Sequence, residues 1–295
     1  IGVRSTLGKG SVFWFKIPFD REDYGLFDAY DDNSNNIKEN RMEPKAALAL
    51  LAEDYPVNQL FASKLLKKFG FGNLELAENG NEVLEKINSG KKYDVIFMDC
   101  QMPEKDGYET TRIIRQKEKA DSSEATVIIA MTANAMVGDR EKCLNVGMDE
   151  YISKPLDPEK LRVVLSRWFN MPASNEKPQP VKKSAEKPPV NMRQLRSFTS
   201  GNKDEEKELG EFFIRKAGET IKKIEQAFEN KDNSAWKSSS HTLKGSSGNL
   251  GATKLYEICA ESEKKFEETT EIKQQLLKSM KDEFTRVEQF LKNLV

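Results

Sequence analysis

Between Lys45 and Phe169 short, nearly unbroken apolar runs alternate with stretches whose apolar residues recur at helical spacing. The runs are Ala47 to Ala52, Leu74 to Ala77, Val95 to Met98, Val127 to Met131, and Tyr151 to Ile152. Such continuous hydrophobicity suits parallel strands covered on both faces. Between them, sets such as Ala62, Leu65, Leu66 and Phe69 mark one face of a helix. Five strand-helix units in succession predict an α/β doubly wound domain around a five-stranded parallel sheet. Further along the pattern changes and no strand is evident. Leu209, Phe212, Phe213, Ala217, Ile221, Ile224 and Phe228 form one helical stripe. Leu255, Ile258, Cys259, Ser262 and Phe266 form a second, and Ile272, Leu276, Met280, Phe284, Val287, Leu291 and Leu294 a third. With the segment around His241 these predict an all-α four-helix bundle.

The flanks read differently. Val12 to Ile17 alternate like a strand after Gly8-Lys9-Gly10, and Gly2 to Ser5 can pair with it as a hairpin. An isolated hairpin is marginal in water, and the chain opens in mid-pattern at Ile1, so a longer parent polypeptide is expected. From Asp20 to Glu43 the chain is acidic, Asn-rich and aperiodic, as in a linker. Prolines 172, 178, 180, 188 and 189 fall in a second linker, an extended, semi-rigid tether. At ~3.1 Å per residue it would reach roughly 60 Å. The expected organisation is therefore a hairpin at 1–19, an acidic linker at 20–44, the α/β domain at 45–170, the Pro-rich linker at 171–190 and the helical domain at 191–295.

Composition narrows the partners. Lys plus Arg number 47 against 48 Asp plus Glu, so no basic field argues for nucleic acid or an anionic membrane, and a protein partner is expected. Cys100, Cys143 and Cys259 are widely separated in sequence and lack metal-ligand spacing, which favours reduced thiols in the cytoplasm. No apolar run approaches the roughly 20 residues that cross a bilayer, so direct membrane contact is not expected.

The polar residues that end each apolar run make a coherent set. Glu53 and Asp54 follow the first, Asp99 the third, Thr132 the fourth, and Lys154 the fifth. In open α/β sheets the ligand site lies at these carboxyl ends. Carboxylates gathered there repel unless a cation neutralises them, and hard oxygen ligands suit Mg²⁺. A carboxylate is also a nucleophile toward phosphorus, and an acyl phosphate needs its oxygens met by a metal, an ammonium such as Lys154 and a hydroxyl such as Thr132. One acidic residue at a strand end is ordinarily a turn residue or a cap; five roles in chain order form a multi-part motif.

Glu53-Asp54, Phe97-Met98-Asp99-Cys100-Gln101-Met102-Pro103 with Asp106-Gly107, Met131-Thr132-Ala133 and Tyr151-Ile152-Ser153-Lys154-Pro155 resemble the motif set of response-regulator receiver domains, a flavodoxin-like fold. The resemblance implies that Asp99 is the phosphoacceptor and that Asp54, Asp99 and the Gln101 carbonyl bind Mg²⁺, with Glu53 acting through a water. It implies that Thr132 and Tyr151 are a switch pair and Lys154 the phosphate ligand. Cys100 carries no assigned role.

His241 is the single histidine of the 295 residues. At about 100° per helical residue, Lys244, Gly245 and Gly248 lie on its side, while Trp236, Leu243 and Leu250 point to the core, so His241 is expected to face solvent. Each helical glycine costs about 0.8 to 1.0 kcal/mol relative to alanine. Two on the histidine's face point to access for a bulky partner, with Lys244 offering charge to a phosphate. His241-Thr-Leu-Lys-Gly-Ser-Ser-Gly-Asn-Leu-Gly-Ala252 resembles the signature of histidine-containing phosphotransfer (HPt) domains, and Ile1 to Pro18 resembles the closing hairpin of a histidine-kinase ATPase domain.

Together the resemblances imply the C-terminal region of a hybrid, multi-step sensor histidine kinase. Asp99 would take phosphate from an upstream kinase histidine, and His241 would pass it to a downstream response regulator. The expected partners are the upstream catalytic and dimerisation domains and that regulator. The family's ATP-binding sequences and its kinase histidine would lie upstream of Ile1. An alternative is a phosphorylation-switched binding module in which His241 serves only as a phosphate drain.

Overall fold

The computed structural model describes residues 2–6, 10–14, 41–132, 137–171 and 188–294. At the start of the chain β1 (Gly2–Thr6) and β2 (Gly10–Trp14) form an antiparallel hairpin in the register Gly2 to Trp14. The expected turn at Gly8-Lys9, the acidic linker up to residue 40 and linker residues 172–187 lie outside the described residues.

The α/β part runs β3 (Leu48–Ala52), α1 (Pro56–Lys68), β4 (Asn73–Ala77), α2 (Gly80–Asn88), β5 (Val95–Asp99), α3 (Gly107–Asp121), β6 (Val127–Thr132), α4 (Val137–Asn145), β7 (Glu150–Ser153) and α5 (Pro158–Leu165). All pairings are parallel, in the order β4-β3-β5-β6-β7. The order reverses at β3, which places a crevice between the ends of β3 and β5. Alternate strand residues enter opposite cores because side chains alternate along a strand. Leu51, Phe97, Ile129 and Ile152 pack toward α1 and α5. Leu50, Ile96, Met98 and Ile128 pack on the other face with Val83, Ile114 and Cys143. Met42 bridges to Phe169 and accepts from the Asn170 N–H, which ties the segment before β3 to the segment after α5.

The helical part comprises α6 (Met192–Thr199), α7 (Lys203–Glu229), α8 (Asn233–Leu250), α9 (Thr253–Lys264) and α10 (Thr270–Lys292). Side chains of Asn191, Asn202 and Asp232 cap the first three, accepting from first-turn N–H groups that have no partner within the helix. The four long helices are those anticipated; α6 is additional. Its Leu195 and Phe198 are buried, and Phe198 meets Phe61 of α1 edge-on at 4.9 Å between ring centroids. One apolar core consequently runs from the sheet through α1 and α6 into the bundle. Burial of apolar surface, at ~25 cal/mol per Å² removed from water, favours this contact between the two folds. Among the described residues no helix is long and apolar enough to cross a membrane.

Candidate functional site

The end of β5 carries Asp99, and the start of α3 must come close to it. A Cβ on Gly107 would sit 2.2 Å from the Asp99 carbonyl oxygen, so only glycine lets α3 begin there. Asp106 caps α3 by accepting from the Glu109 N–H at 2.7 Å. Across the crevice Glu53 and Asp54 follow β3, and Lys154 follows β7. The Lys154 Nζ lies 2.6 Å from both Asp99 Oδ2 and Glu53 Oε2, and all three side chains are buried. The Gln101 N–H donates to Asp99 Oδ1 at 3.1 Å.

One ammonium faces three carboxylates, and two of these, Asp54 and Asp99, are held above the ordinary carboxylate range, chiefly by burial. Burial, with Glu53 nearby, raises Asp54 to about 6. Burial also raises Asp99, and Glu53 adds to the shift while Lys154 opposes it. For Lys154 burial works against the charge, but Asp99 and Glu53 outweigh it and raise its pKa. Glu53, Asp54 and Asp99 can each turn one oxygen to a common point, their ligand atoms lying within 4.8 Å of one another. An all-oxygen donor set of three carboxylates that share one ammonium fits a hard divalent cation such as Mg²⁺.

The second half of the site stands on α8. His241 Nδ1 is 2.7 Å from Glu263 Oε1, on α9, and Lys244 Nζ donates to the other oxygen of the same carboxylate. Burial works against that charge, but the hydrogen bonds from His241 and Lys244 prevail and hold Glu263 at about 2. An ionised carboxylate only accepts, so Nδ1 must carry the proton, and in the neutral ring Nε2 carries the free lone pair. The expected core residues Trp236, Leu243 and Leu250 are fully buried.

His241 does not look out to solvent as its helix face suggested. Its side chain is 20% exposed, and it lines a cleft of about 490 Å³ shared with Asp99. Glu53, Asp54, Gln101, Lys154, Lys244 and Gly245 line the same cleft. The helical wheel is right about the face and wrong about what covers it. A Cβ on Gly248 would meet Pro155 and Tyr256 at 3.0 Å, and one on Gly245 would meet Asn58 at 3.3 Å. The missing side chains let the α/β part come close.

A buried chain of polar contacts joins the halves. Asn58 Nδ2 donates to Glu53 Oε1 at 2.9 Å, Asn249 Nδ2 donates to Asn58 Oδ1 at 3.0 Å, and the Leu156 N–H donates to Asn249 Oδ1 at 3.0 Å. At the rim Lys64 of α1 reaches Glu205 and Glu208 of α7. Thr132 closes β6 and is buried, and Tyr151 is half-buried on β7; neither lines the cleft. The sequence reading missed Glu263, Asn58 and Asn249. Glu263 had a weak signal, a carboxylate directly after Ser262 of the buried α9 stripe.

Residues 49–166 match the family model of the response regulator receiver domain, and residues 208–293 match that of the Hpt domain. Hybrid signal transduction histidine kinase K of Dictyostelium discoideum is 38% identical over 157 residues, which are 52% of this chain and 12% of that protein. Histidine kinase 3 of Arabidopsis thaliana is 36% identical over 144 residues, 43% of this chain and 14% of the relative. Sensor histidine kinase GacS of Pseudomonas protegens is 31% identical over 154 residues, 52% of this chain and 16% of the relative. The chain thus spans a small fraction of the length of these relatives. Among solved structures, the receiver domain of sensor histidine kinase PA1611 from Pseudomonas aeruginosa, with a magnesium ion in its active-site cleft, is 40% identical, with a TM-score of 0.35 over 41% of this chain and 96% of that one. A complex of the Saccharomyces cerevisiae phosphotransfer protein Ypd1 with the receiver domain of Ssk1 gives 31% identity and a TM-score of 0.38 over 41% of this chain and 86% of that one.

Proposed function

We infer that this chain, which carries a response regulator receiver domain followed by an Hpt domain as hybrid histidine kinases do, is a phosphorelay segment passing a phosphoryl group from Asp99 to His241. The observation that carries the reading is that a buried carboxylate and an oriented imidazole line one cleft. The Asp99 carboxylate attacks phosphorus of a phosphohistidine on an upstream kinase, and the donor's N–P bond breaks. In the next step Nε2 of His241 attacks the acyl phosphate in line, the bond from phosphorus to the Asp99 oxygen breaks, and the carboxylate is regenerated.

Each neighbour has a task in that transfer. Lys154, 2.6 Å from Asp99 Oδ2, would meet the phosphoryl oxygens, and the Gln101 N–H fixes the carboxylate oxygen it bonds. Glu263 holds the proton on Nδ1 and balances the positive charge the ring gains as the N–P bond forms. Lys244, on the same face, attracts the incoming phosphate. Glu53, Asp54 and Asp99 would hold Mg²⁺, with the Gln101 carbonyl as the further ligand that the receiver resemblance implies, and the ion would neutralise charge on the phosphoryl oxygens. Thr132 and Tyr151 are assigned the switch that follows phosphorylation. The upstream kinase domains and a downstream response regulator are the proposed partners.

The test is to label the chain from an upstream kinase or a small phosphodonor with Mg²⁺, comparing Asp99→Asn and His241→Gln. Asp99→Asn should abolish acid-labile label on His241. His241→Gln should leave Asp99 labelled and stop passage to a separate receiver. Onward passage with His241 replaced would exclude the relay.

A further inference from the structure

Two of the three cysteines, 43 residues apart in sequence, meet in the fold: Cys100 Sγ and Cys143 Sγ are 3.8 Å apart. Both are free thiols and buried, Cys100 at 2% and Cys143 at 0% exposure. That separation is van der Waals contact, and a disulfide requires about 2.0 Å between sulfurs. Cys100 also lines the cleft that holds Asp99 and His241, which gives a small oxidant a route to it. Cys143 lies behind it on α4, with the Tyr108 hydroxyl 4.0 Å from its sulfur.

We propose that Cys100 and Cys143 are a modification site, a dithiol that a hydroperoxide converts reversibly into a disulfide stapling α4 to the end of β5. The chemistry balances with hydrogen peroxide as oxidant. The Cys100 sulfur attacks one peroxide oxygen, the O–O bond breaks, and a sulfenic acid and one water result. The Cys143 sulfur then displaces the sulfenic hydroxyl, the S–S bond forms, and the second water leaves. Two thiols are oxidised by two electrons, and one peroxide is reduced to two waters. A dithiol reductant reverses the step by thiol–disulfide exchange.

The staple has leverage on the site because of where Cys100 sits. It lies between Asp99 and Gln101, whose N–H holds Asp99 Oδ1, and its own N–H and C=O are fixed by Met131 and Gly107. Drawing its sulfur toward α4 turns the backbone that orients the Asp99 carboxylate. It also restrains the helix that follows the segment after Thr132. This control of phosphate acceptance rests on Asp99 being the phosphoacceptor; formation of the bond does not.

The whole chain is treated with hydrogen peroxide, digested without reduction and mapped by mass. Linked peptides holding Cys100 and Cys143, reverting to thiols with dithiothreitol, are expected, while Cys259 in the bundle stays a thiol. Oxidation should slow labelling of Asp99 by acetyl phosphate with Mg²⁺ by about tenfold, within the usual range of coupling between sites. Reduction should restore it, and Cys143→Ala should be labelled equally with and without peroxide. Thiols that stay unlinked, cross-links between chains, or oxidation that ends at sulfinic acid would overturn the disulfide. Unchanged labelling of the linked chain would overturn the control. If the untreated chain takes no phosphate on Asp99, the relay reading falls and the mass map still decides the disulfide.

Discussion

The two sites proposed to carry the phosphoryl group solve opposite electrostatic problems. At the strand ends charge is concentrated in a buried crevice, where Lys154 is shared by Glu53 and Asp99 and Asp54 stays poorly compensated. On α8 the imidazole is oriented by one carboxylate, Glu263, which the hydrogen bonds from His241 and Lys244 hold well below the usual carboxylate range. The first site is short of positive charge and suited to gather cations and a phosphate. The second is already balanced, so it needs only approach. That contrast teaches why a receiver fold invests buried charge in its site and the helical fold only a bare face.

Removing Lys154 is the severest way to break the contrast. Lys154→Met leaves Glu53 and Asp99 buried without their ammonium, and unfolding should show a loss of about 3 kcal/mol or more, with labelling of Asp99 largely abolished. A variant with wild-type stability and labelling would mean the cluster is not organised around that cation.

Glu263→Gln probes the balanced site. Asp99 should label normally, while transfer to His241 slows by up to about a hundredfold, the scale expected for a misoriented reacting group. Single-turnover transfer separates the two steps. The same carboxylate has an acid signature. Its pKa is lowered from 4.5 to about 2 in the fold, so its stabilising contribution is complete above about 4.5 and is lost as pH falls through about 2. Acid titration of stability should therefore be shallower between those values in Glu263→Gln than in the parent chain.

Asn249→Ala tests the seam rather than either site. It leaves Asn58 Oδ1 and the Leu156 N–H without their buried partner, which costs about 1 to 3 kcal/mol, felt as slower transfer within the chain. Phosphorylation of Asp99 should be untouched. The smallest effect is expected from Gly248→Ala, where two terms oppose. The helix gains up to about 1 kcal/mol. The new methyl meets Pro155 across the seam and Tyr256 of α9 at 3.0 Å, so docking weakens and the Tyr256 ring must give way. Slower transfer to His241 at nearly unchanged stability of the whole chain is the outcome that supports the reading of the bare face.

What could be read without the fold follows the same division. Glu53, Asp54, Asp99 and Lys154 stand out because each ends an apolar run, and a parallel sheet gathers such ends at one edge. His241, Lys244, Gly245 and Gly248 stand out because helical periodicity fixes their common face. Asn58, Asn249 and Glu263 carry no such mark. Each is defined by a contact between elements distant in sequence, and an asparagine on a helix has many uses. Helix α6 had a modest signal, Asn191 before Met192, Leu195 and Phe198, but its stripe is short and its partner Phe61 lies in the other domain. The solvent-facing expectation for His241 failed for the same reason: one helix cannot say what stands opposite it.

The closed seam also sets an order of events. Pro155, Asn58 and Tyr55 occupy the very face of α8 and α7 through which His241 can be approached, with the Tyr55 hydroxyl 3.1 Å from Thr220. A surface that accommodates one visitor at a time makes every later recipient wait for a vacancy. In the proposed relay, the residence time of the chain's own receiver on that face would set the clock, independent of how fast phosphorus changes hands.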